Sequence, residues 1–314
     1  MNSSKLNILN AFIRPLHPLS IWLKLSLIIL VAVTNKSTPT QPTWAVIVAL
    51  FAALFLVPIA YQQLRKNQSV FRMDADGLIW HLPCAFLLVF SFLLNRGDLA
   101  GIFALSYATW CVETLLRGFR IEGKRVYRMI FMAFLFLSIG SIWLLFDRFG
   151  IQPLGFPTWI VILTSVHFHY AGFILLSSMV LFLYQKPNDR ILRSANFSII
   201  IGVILTALSI TITQLGYSTI YETLAGVWMS LSALFAGFVV IQKGLKEKKP
   251  TKILWITAGI CLISAMIFAF LYALRSLFAL DILTLPFMQT LHGTLNALGF
   301  GTLILLGWAW KKEA

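Results

Sequence analysis

Apolar residues along this chain occur in long runs that are separated by short polar segments. About 20 apolar residues are needed to cross the hydrocarbon core of a membrane as a helix, so these runs predict membrane-spanning helices. Ten predicted spans cover residues 21–33, 44–62, 77–94, 99–117, 127–146, 158–184, 195–214, 217–242, 253–274 and 287–310. The pattern therefore predicts an all-α, polytopic transmembrane helix bundle that forms a single integral membrane domain over residues 1–314.

The first predicted span is the weakest of the ten, because it is short and contains Lys24. No small-residue cleavage site follows it, so we interpret it as a retained span and not as a signal peptide. Composition agrees with a membrane protein. Hydrophobic residues make up 59% of the chain and charged residues 11%, whereas soluble domains carry about 25% charged residues.

The net charge of +14 is unevenly distributed along the chain. Twenty of the 25 lysines and arginines lie on one side of the predicted spans, and the opposite loops hold only Lys36, Arg96, Arg148 and Arg275. The positive-inside rule therefore predicts that both termini are cytoplasmic. The basic side would attract anionic membrane lipids as partners, and no recognised motif supports nucleic-acid binding.

Ionisable residues inside the predicted spans are the candidate functional residues, because their burial in a membrane is costly. The sixth span contains the stretch HFHYAGF, and the alternation of directions places its histidines in the same outer layer as residues of the eighth and tenth spans. The predicted site consists of His167, His169, Tyr170, Glu222, His292 and Asn296.

The spacing of His167 and His169 limits what the pair can do. Residues two apart on a regular helix point about 200° away from each other, so both rings cannot bind one metal ion. Either the helix is locally distorted, or one histidine faces the site and the other bonds a neighbouring helix.

Small residues accompany the polar residues of the eighth and tenth spans. His292, Asn296 and Gly299 are spaced i, i+4, i+7 and form one stripe. Glu222 is followed by a stripe of small residues that contains Gly226 and Gly237. Both stripes predict close packing against another helix.

A second polar layer is predicted toward the cytoplasmic side. Glu113 and Arg117 are spaced i, i+4, which favours a structural ion pair, and His81 is a candidate to hydrogen-bond the same carboxylate. Asp147 and Arg148 are interpreted as residues of the outer membrane interface.

Four roles are open for these residues. The simplest is packing, in which intramembrane polar groups only bond one another. The favoured hypothesis is an intramembrane enzyme for a lipophilic small molecule, with isomerisation, cyclisation, epoxide opening or hydrolysis by histidine and glutamate acid–base chemistry. Asn296 would steady a developing oxyanion. The alternatives are a proton-coupled transporter and a haem protein with histidine axial ligands.

No cofactor is specified by the sequence, and the expectation is either none or a divalent metal ion. In a metal-dependent version of the enzyme, zinc or iron would be bound by either His167 or His169 together with His292 and Glu222. The three cysteines have no CxxC spacing and are interpreted as packing residues.

The motifs HFHYAGF and LHGTLNALGFG resemble those of the YndJ-like family of bacterial integral membrane proteins. The resemblance covers mainly the chain from the sixth span to the tenth. It implies a location in the bacterial inner membrane and implies no particular reaction. It supports grouping His167, His169, Tyr170, Gly172, His292, Asn296 and Gly299.

Overall fold

Ten long helices make up most of the chain in a computed structural model that describes residues 16–34, 43–66, 76–119, 125–278 and 284–311. Each predicted span corresponds to one of them, so the predicted all-α bundle is confirmed. Lys36 lies outside the described residues. The helices are α1 Pro18–Thr34, α2 Thr43–Lys66, α3 Asp76–Leu93, α4 Asp98–Phe119, α5 Arg125–Phe149, α6 Thr158–Gln185, α7 Arg190–Gln214, α8 Ile220–Leu245, α9 Thr251–Ala273 and α10, which joins Leu285–Thr294, Leu295–Gly301 and Thr302–Trp310.

Length and composition identify the helices that could cross a membrane. Within the described ranges, eight helices are long and apolar enough to do so. The apolar parts of α1 and α3, Ser20–Thr34 and Gly77–Leu93, are shorter. The cytoplasmic location of both termini stays a prediction.

The chain divides into two compact units, and two helices contribute to both. Unit 1 contains Met1–Gly123 and Phe134–His169, and unit 2 contains Lys124–Ala133 and Tyr170–Ala314. Helix α6 thus passes from one unit to the other after His169. The organisation as a single integral membrane domain stays a prediction.

Helices α8 and α9 of unit 2 pack closely through their glycines. A Cβ atom added to Gly259 would lie 2.8 Å from the carbonyl oxygen of Gly237, and one added to Gly226 would lie 2.8 Å from the Cβ of Ala273. Only hydrogen atoms fit at such distances, so the predicted small-residue stripe of the eighth span is confirmed.

Arg148 and Asp147 of unit 1 are buried among neighbouring helices, and their place at the outer membrane interface stays a prediction. The Arg148 guanidinium donates hydrogen bonds to the carbonyl oxygens of Ser91 and Leu94, at 2.9 and 2.8 Å, and stacks on the Phe92 ring. Asp147 accepts from Arg96 at 2.7 Å and pairs with Arg148 at 3.4 Å. The last carbonyl groups of a helix have no partner within that helix. Arg148 of α5 supplies hydrogen-bond donors to them at the C-terminal end of α3.

Three of the described helices contain a π-helical segment, in which each turn holds about one more residue than in an α-helix. These segments are Ala52–Leu56 in α2, Phe168–Leu175 in α6 and Leu295–Gly301 in α10. Such segments change which side chains share a helix face and are often found at functional sites. Each lies beside a buried or half-buried histidine.

Candidate functional site

Helix α6 is locally distorted at HFHYAGF, which was one of the two arrangements predicted from the spacing of His167 and His169. The helix is α-helical through His167 and becomes π-helical from Phe168. His169 is completely buried in unit 1, whereas His167 is half-buried. Gly140 of α5 makes room for the buried ring, since a Cβ atom there would lie 2.9 Å from His169 Nδ1.

His169 forms a hydrogen-bonded pair with Tyr107 of α4. Its Nδ1 lies 2.8 Å from the carbonyl oxygen of Ser165, and its Nε2 lies 3.2 Å from the Tyr107 hydroxyl oxygen. A carbonyl can only accept a hydrogen bond, so Nδ1 carries the proton and Nε2 of the neutral ring accepts from the Tyr107 O–H. The two rings are stacked, with centroids 6.0 Å apart.

Polar contacts continue from Tyr107 toward α5. The Cys111 thiol, one turn along α4, lies within hydrogen-bonding reach of Tyr107 and of Ser141. The Ser141 hydroxyl donates to the carbonyl oxygen of Ser138 at 2.8 Å. A chain of polar groups therefore runs from α6 through α4 to α5 in the interior of unit 1.

His81 of α3 lies beside this chain but is not hydrogen-bonded to it. Its ring is 4.5 Å from the Trp110 ring and 6.2 Å from the Tyr107 ring, measured between centroids. It donates to the carbonyl oxygen of Ala53 in the π-helical segment of α2, and Nε2 has no hydrogen-bond partner among the described residues. The predicted bond between His81 and Glu113 is therefore wrong.

Glu113 and Arg117 form the predicted ion pair on α4. Arg117 Nη2 lies 2.5 Å from Glu113 Oε1, and both side chains are about half exposed. Exposed pairs of this kind contribute little to stability, and nothing connects the pair to a reaction.

His292 and Asn296 interact within unit 2, as the stripe on the tenth span predicts. His292 Nδ1 donates to the carbonyl oxygen of Ala265 on α9 at 2.9 Å, and Asn296 Nδ2 donates to His292 Nε2 at 3.0 Å. Gly299 continues this face, because a Cβ atom there would lie 2.8 Å from the side chain of Cys261. The stripe faces α9.

Glu222 is paired with a residue that was not part of the predicted site. Its Oε2 lies 3.7 Å from Nη2 of Arg275, which also stacks on the ring of Tyr272. The carboxylate is therefore compensated by a guanidinium, and the role of an acid that acts with the histidines has no support from its contacts.

The predicted site residues belong to both units. His167 and His169 lie in unit 1, whereas Tyr170, Glu222, His292 and Asn296 lie in unit 2. Tyr170 is buried. Across the described residues, no group of three or more His, Cys, Asp or Glu side chains could hold a metal ion, so the proposed zinc or iron ligands have no support.

Tyr107 and Lys24 are the important residues that sequence reasoning missed. Tyr107 and Cys111 are spaced i, i+4 in an apolar span, which is a weak signal for a shared polar face. Lys24 was treated only as a weakness of the first span, although a lysine within an apolar helix is itself a signal of function.

Comparison with known proteins places the chain in a family. A family model described as YndJ-like protein matches residues 47–300, which is most of the chain. The chain belongs to the YndJ-like family. The match includes much of the first half, including Tyr107, and is thus broader than the two motifs.

A curated relative agrees with this assignment. The chain is 26% identical over 265 residues to a Bacillus subtilis (strain 168) protein named "Uncharacterized membrane protein YndJ". The aligned region covers 82% of this chain and 47% of the relative, so the chain spans about half the length of that protein. No solved structure matches the chain. The comparisons and the apolar helices together support a multi-pass membrane protein.

Proposed function

We propose that the protein is a membrane-embedded enzyme that performs acid–base chemistry on a lipophilic small molecule, with Tyr107 and His169 as its proton-transfer pair. One observation carries the proposal: the Tyr107 hydroxyl is hydrogen-bonded to Nε2 of a histidine whose other nitrogen is held by a backbone carbonyl. Fixing one ring nitrogen in this way leaves the other as a base of defined orientation.

The proposed chemistry needs no additional acid. The Tyr107 oxygen accepts a proton from the substrate while the phenolic proton moves to His169 Nε2, and the return of both protons reprotonates the substrate at a second atom. Removal and return at different atoms would give isomerisation or cyclisation. The same pair could assist epoxide opening or hydrolysis by transferring protons to and from an oxygen atom.

Proton-coupled transport is the second candidate, because Tyr107 and His169 are completely buried. A substrate would reach them only after the helices of unit 1 separate, and opening of a buried polar site is also the basic step of alternating access. Haem binding is less well supported, since both ring nitrogens of His169 and of His292 are engaged in hydrogen bonds.

The bacterial inner membrane is the proposed location, supported by the membrane protein from Bacillus subtilis and by the distribution of basic residues. Membrane lipids surround the protein there and are the proposed source of a hydrophobic substrate.

The test compares bacterial cells that produce the wild-type protein, Tyr107→Phe or Tyr217→Phe at equal membrane levels. Tyr217 is an exposed tyrosine and serves as the matched control. Lipid extracts are compared by mass spectrometry, and proton flux is measured in membrane vesicles. A product that requires Tyr107 supports the enzyme, whereas proton flux that requires Tyr107 without a new product supports transport. Identical extracts and fluxes for the wild type and Tyr107→Phe would overturn both.

A further inference from the structure

A buried lysine in unit 1 has no counter-charge among the described residues. Lys24 of α1 is 2% exposed, although the neighbouring Trp22 is largely exposed. Its ammonium group lies over the Phe55 ring, whose centroid is 5.4 Å from Nζ. A cation–π contact offsets only part of the cost of burying a charge, so an ammonium in this position needs an oxygen acceptor.

Two other buried polar atoms near Lys24 also lack partners within the described part of the chain. Ser20 is one helical turn before Lys24 on the same face of α1, and its hydroxyl oxygen is unsatisfied. His81 Nε2 is unsatisfied as well, and Lys24 is close enough to interact electrostatically with that ring. Native proteins rarely leave such atoms unpaired, so their convergence indicates a missing polar group.

The carboxylates with described side chains in unit 1 do not supply this group. Asp147 is paired with Arg96 and Arg148, and Glu113 is paired with Arg117. Asp98 is exposed in the first turn of α4. Among the described side chains of unit 1, no carboxylate therefore compensates Lys24.

We propose that Ser20, Lys24 and His81 bind the acidic headgroup, a phosphate or a carboxylate, of an amphiphilic molecule. One headgroup oxygen accepts hydrogen bonds from the Lys24 ammonium and the Ser20 hydroxyl. The O–H of a monoprotonated phosphate donates to His81 Nε2, whereas a carboxylate has no O–H and is held by Lys24 and Ser20 alone. The apolar tail lies among the membrane-facing helices, as a lipid or a fatty acid would place it.

This site is independent of the proposed reaction, although the two are adjacent. His81 contacts the Tyr107 ring edge-on, but it shares no hydrogen bond with the Tyr107–His169 pair. A headgroup held at Lys24 requires no proton transfer by Tyr107, so each proposal can fail while the other stands.

The test measures equilibrium binding of radiolabelled ligands to the purified full chain in a neutral detergent. Phosphatidic acid is compared with diacylglycerol, and oleate with oleyl alcohol, so that each pair differs in its acidic group. We expect the acidic member to bind at least about tenfold more tightly in one pair or both, since a hydrogen bond to a charged group is worth roughly that factor.

Lys24→Met removes the charge and nearly keeps the shape of the side chain. We expect it to lower the affinity for the acidic ligand to that of the neutral one, while Lys186→Met, at an exposed lysine, has no effect. Lys24→Arg keeps the charge and should retain binding. Tyr107→Phe should also retain it, which separates this site from the proposed reaction.

Competition by inorganic phosphate would show that a free anion is a sufficient ligand. Failure of phosphate to compete would show that the ligand must be an amphiphile. Either result supports an anion site. Equal binding of acidic and neutral ligands would overturn the proposal. So would unchanged binding by Lys24→Met. If Lys24→Met does not fold, Ser20→Ala provides the second measurement, with a several-fold loss expected and an unchanged affinity counting against the site.

Discussion

His169 in unit 1 and His292 in unit 2 are each anchored by a backbone carbonyl but have different partners for the second ring nitrogen. Each ring donates through Nδ1 to a backbone carbonyl oxygen, at 2.8 and 2.9 Å, and each lies in or next to a π-helical segment. Nε2 then accepts from the Tyr107 hydroxyl in one case and from the Asn296 amide in the other.

This difference in partner decides what each histidine can do. A phenol can give up its proton and take up another, whereas a side-chain amide forms hydrogen bonds but does not transfer a proton under ordinary conditions. The proposed proton transfer therefore involves His169, whereas His292 bonds α10 to α9. Similar hydrogen bonding of a buried and a half-buried histidine thus does not imply similar function.

The largest expected effect is on activity, and it should differ between the partner of His169 and the partner of His292. Tyr107→Phe should lower product formation or proton flux by about 100-fold or more, which is the usual loss when a general acid–base group is removed. Asn296→Ala should leave the same rate within about threefold, because the amide transfers no proton. Both rates are measured in membranes with equal protein content. Equal losses in the two variants would contradict the distinction.

Two glycines provide the next comparison, because each packs next to one of these histidine regions. Gly140→Ala places a Cβ atom 2.9 Å from His169 Nδ1, and Gly299→Ala places one 2.8 Å from the Cys261 side chain. Each should lower the free energy of unfolding by about 1–3 kcal/mol, as overpacking does. Denaturant unfolding in detergent measures this cost.

Only Gly140→Ala should also reduce activity, since it displaces the proton-transfer pair and Gly299→Ala does not. A Gly140→Ala protein with normal stability and full activity would show that His169 tolerates displacement or that α5 can move away from α6.

A smaller and equal effect on stability is expected for the two partners of the histidines. Tyr107→Phe and Asn296→Leu each leave a buried or half-buried Nε2 atom without its donor, at a cost of roughly 1–2 kcal/mol. Thermal unfolding of the two purified variants measures this cost. Equal destabilisation with unequal activity would show that the loss in Tyr107→Phe is chemical. A stable Asn296→Leu would instead mean that His292 has no structural role.

The smallest effect is expected for the exposed pair on α4. Arg117→Ala should change the free energy of unfolding by less than about 0.5 kcal/mol, since exposed i, i+4 pairs contribute little. Activity should be unchanged, with Glu113→Gln as the partner control. A large loss of activity in both variants would bring this pair back as a candidate for function.

The helices were predictable from the sequence because their signal is local. Hydropathy over about 20 residues predicted a fifth span at 127–146 and a tenth at 287–310, and the structure has helices at Arg125–Phe149 and from Leu285 to Trp310. The small-residue stripe that begins at Gly226 also predicted close helix packing correctly, since small side chains repeated along one helix face allow two backbones to approach.

The arrangement of the candidate site could be predicted only in part. His169, His292 and Asn296 were identified as unusual, and the bond between the last two was accessible because they are one turn apart. The pairing of Glu222 with Arg275 and the burial of Arg148 were missed, because each depends on side chains that are far apart in the chain.

By itself, the sequence determined that this protein is a multi-pass helical membrane protein and that a few ionisable residues are buried in it. These properties follow from the free energy of transferring side chains between water and lipid, because that free energy depends only on the residues of each segment. Only the tertiary structure decided that His169 meets a tyrosine and that Lys24 meets no carboxylate among the described residues. The reason is that a hydrogen bond requires two groups within about 3 Å, and packing of distant helices alone sets that distance.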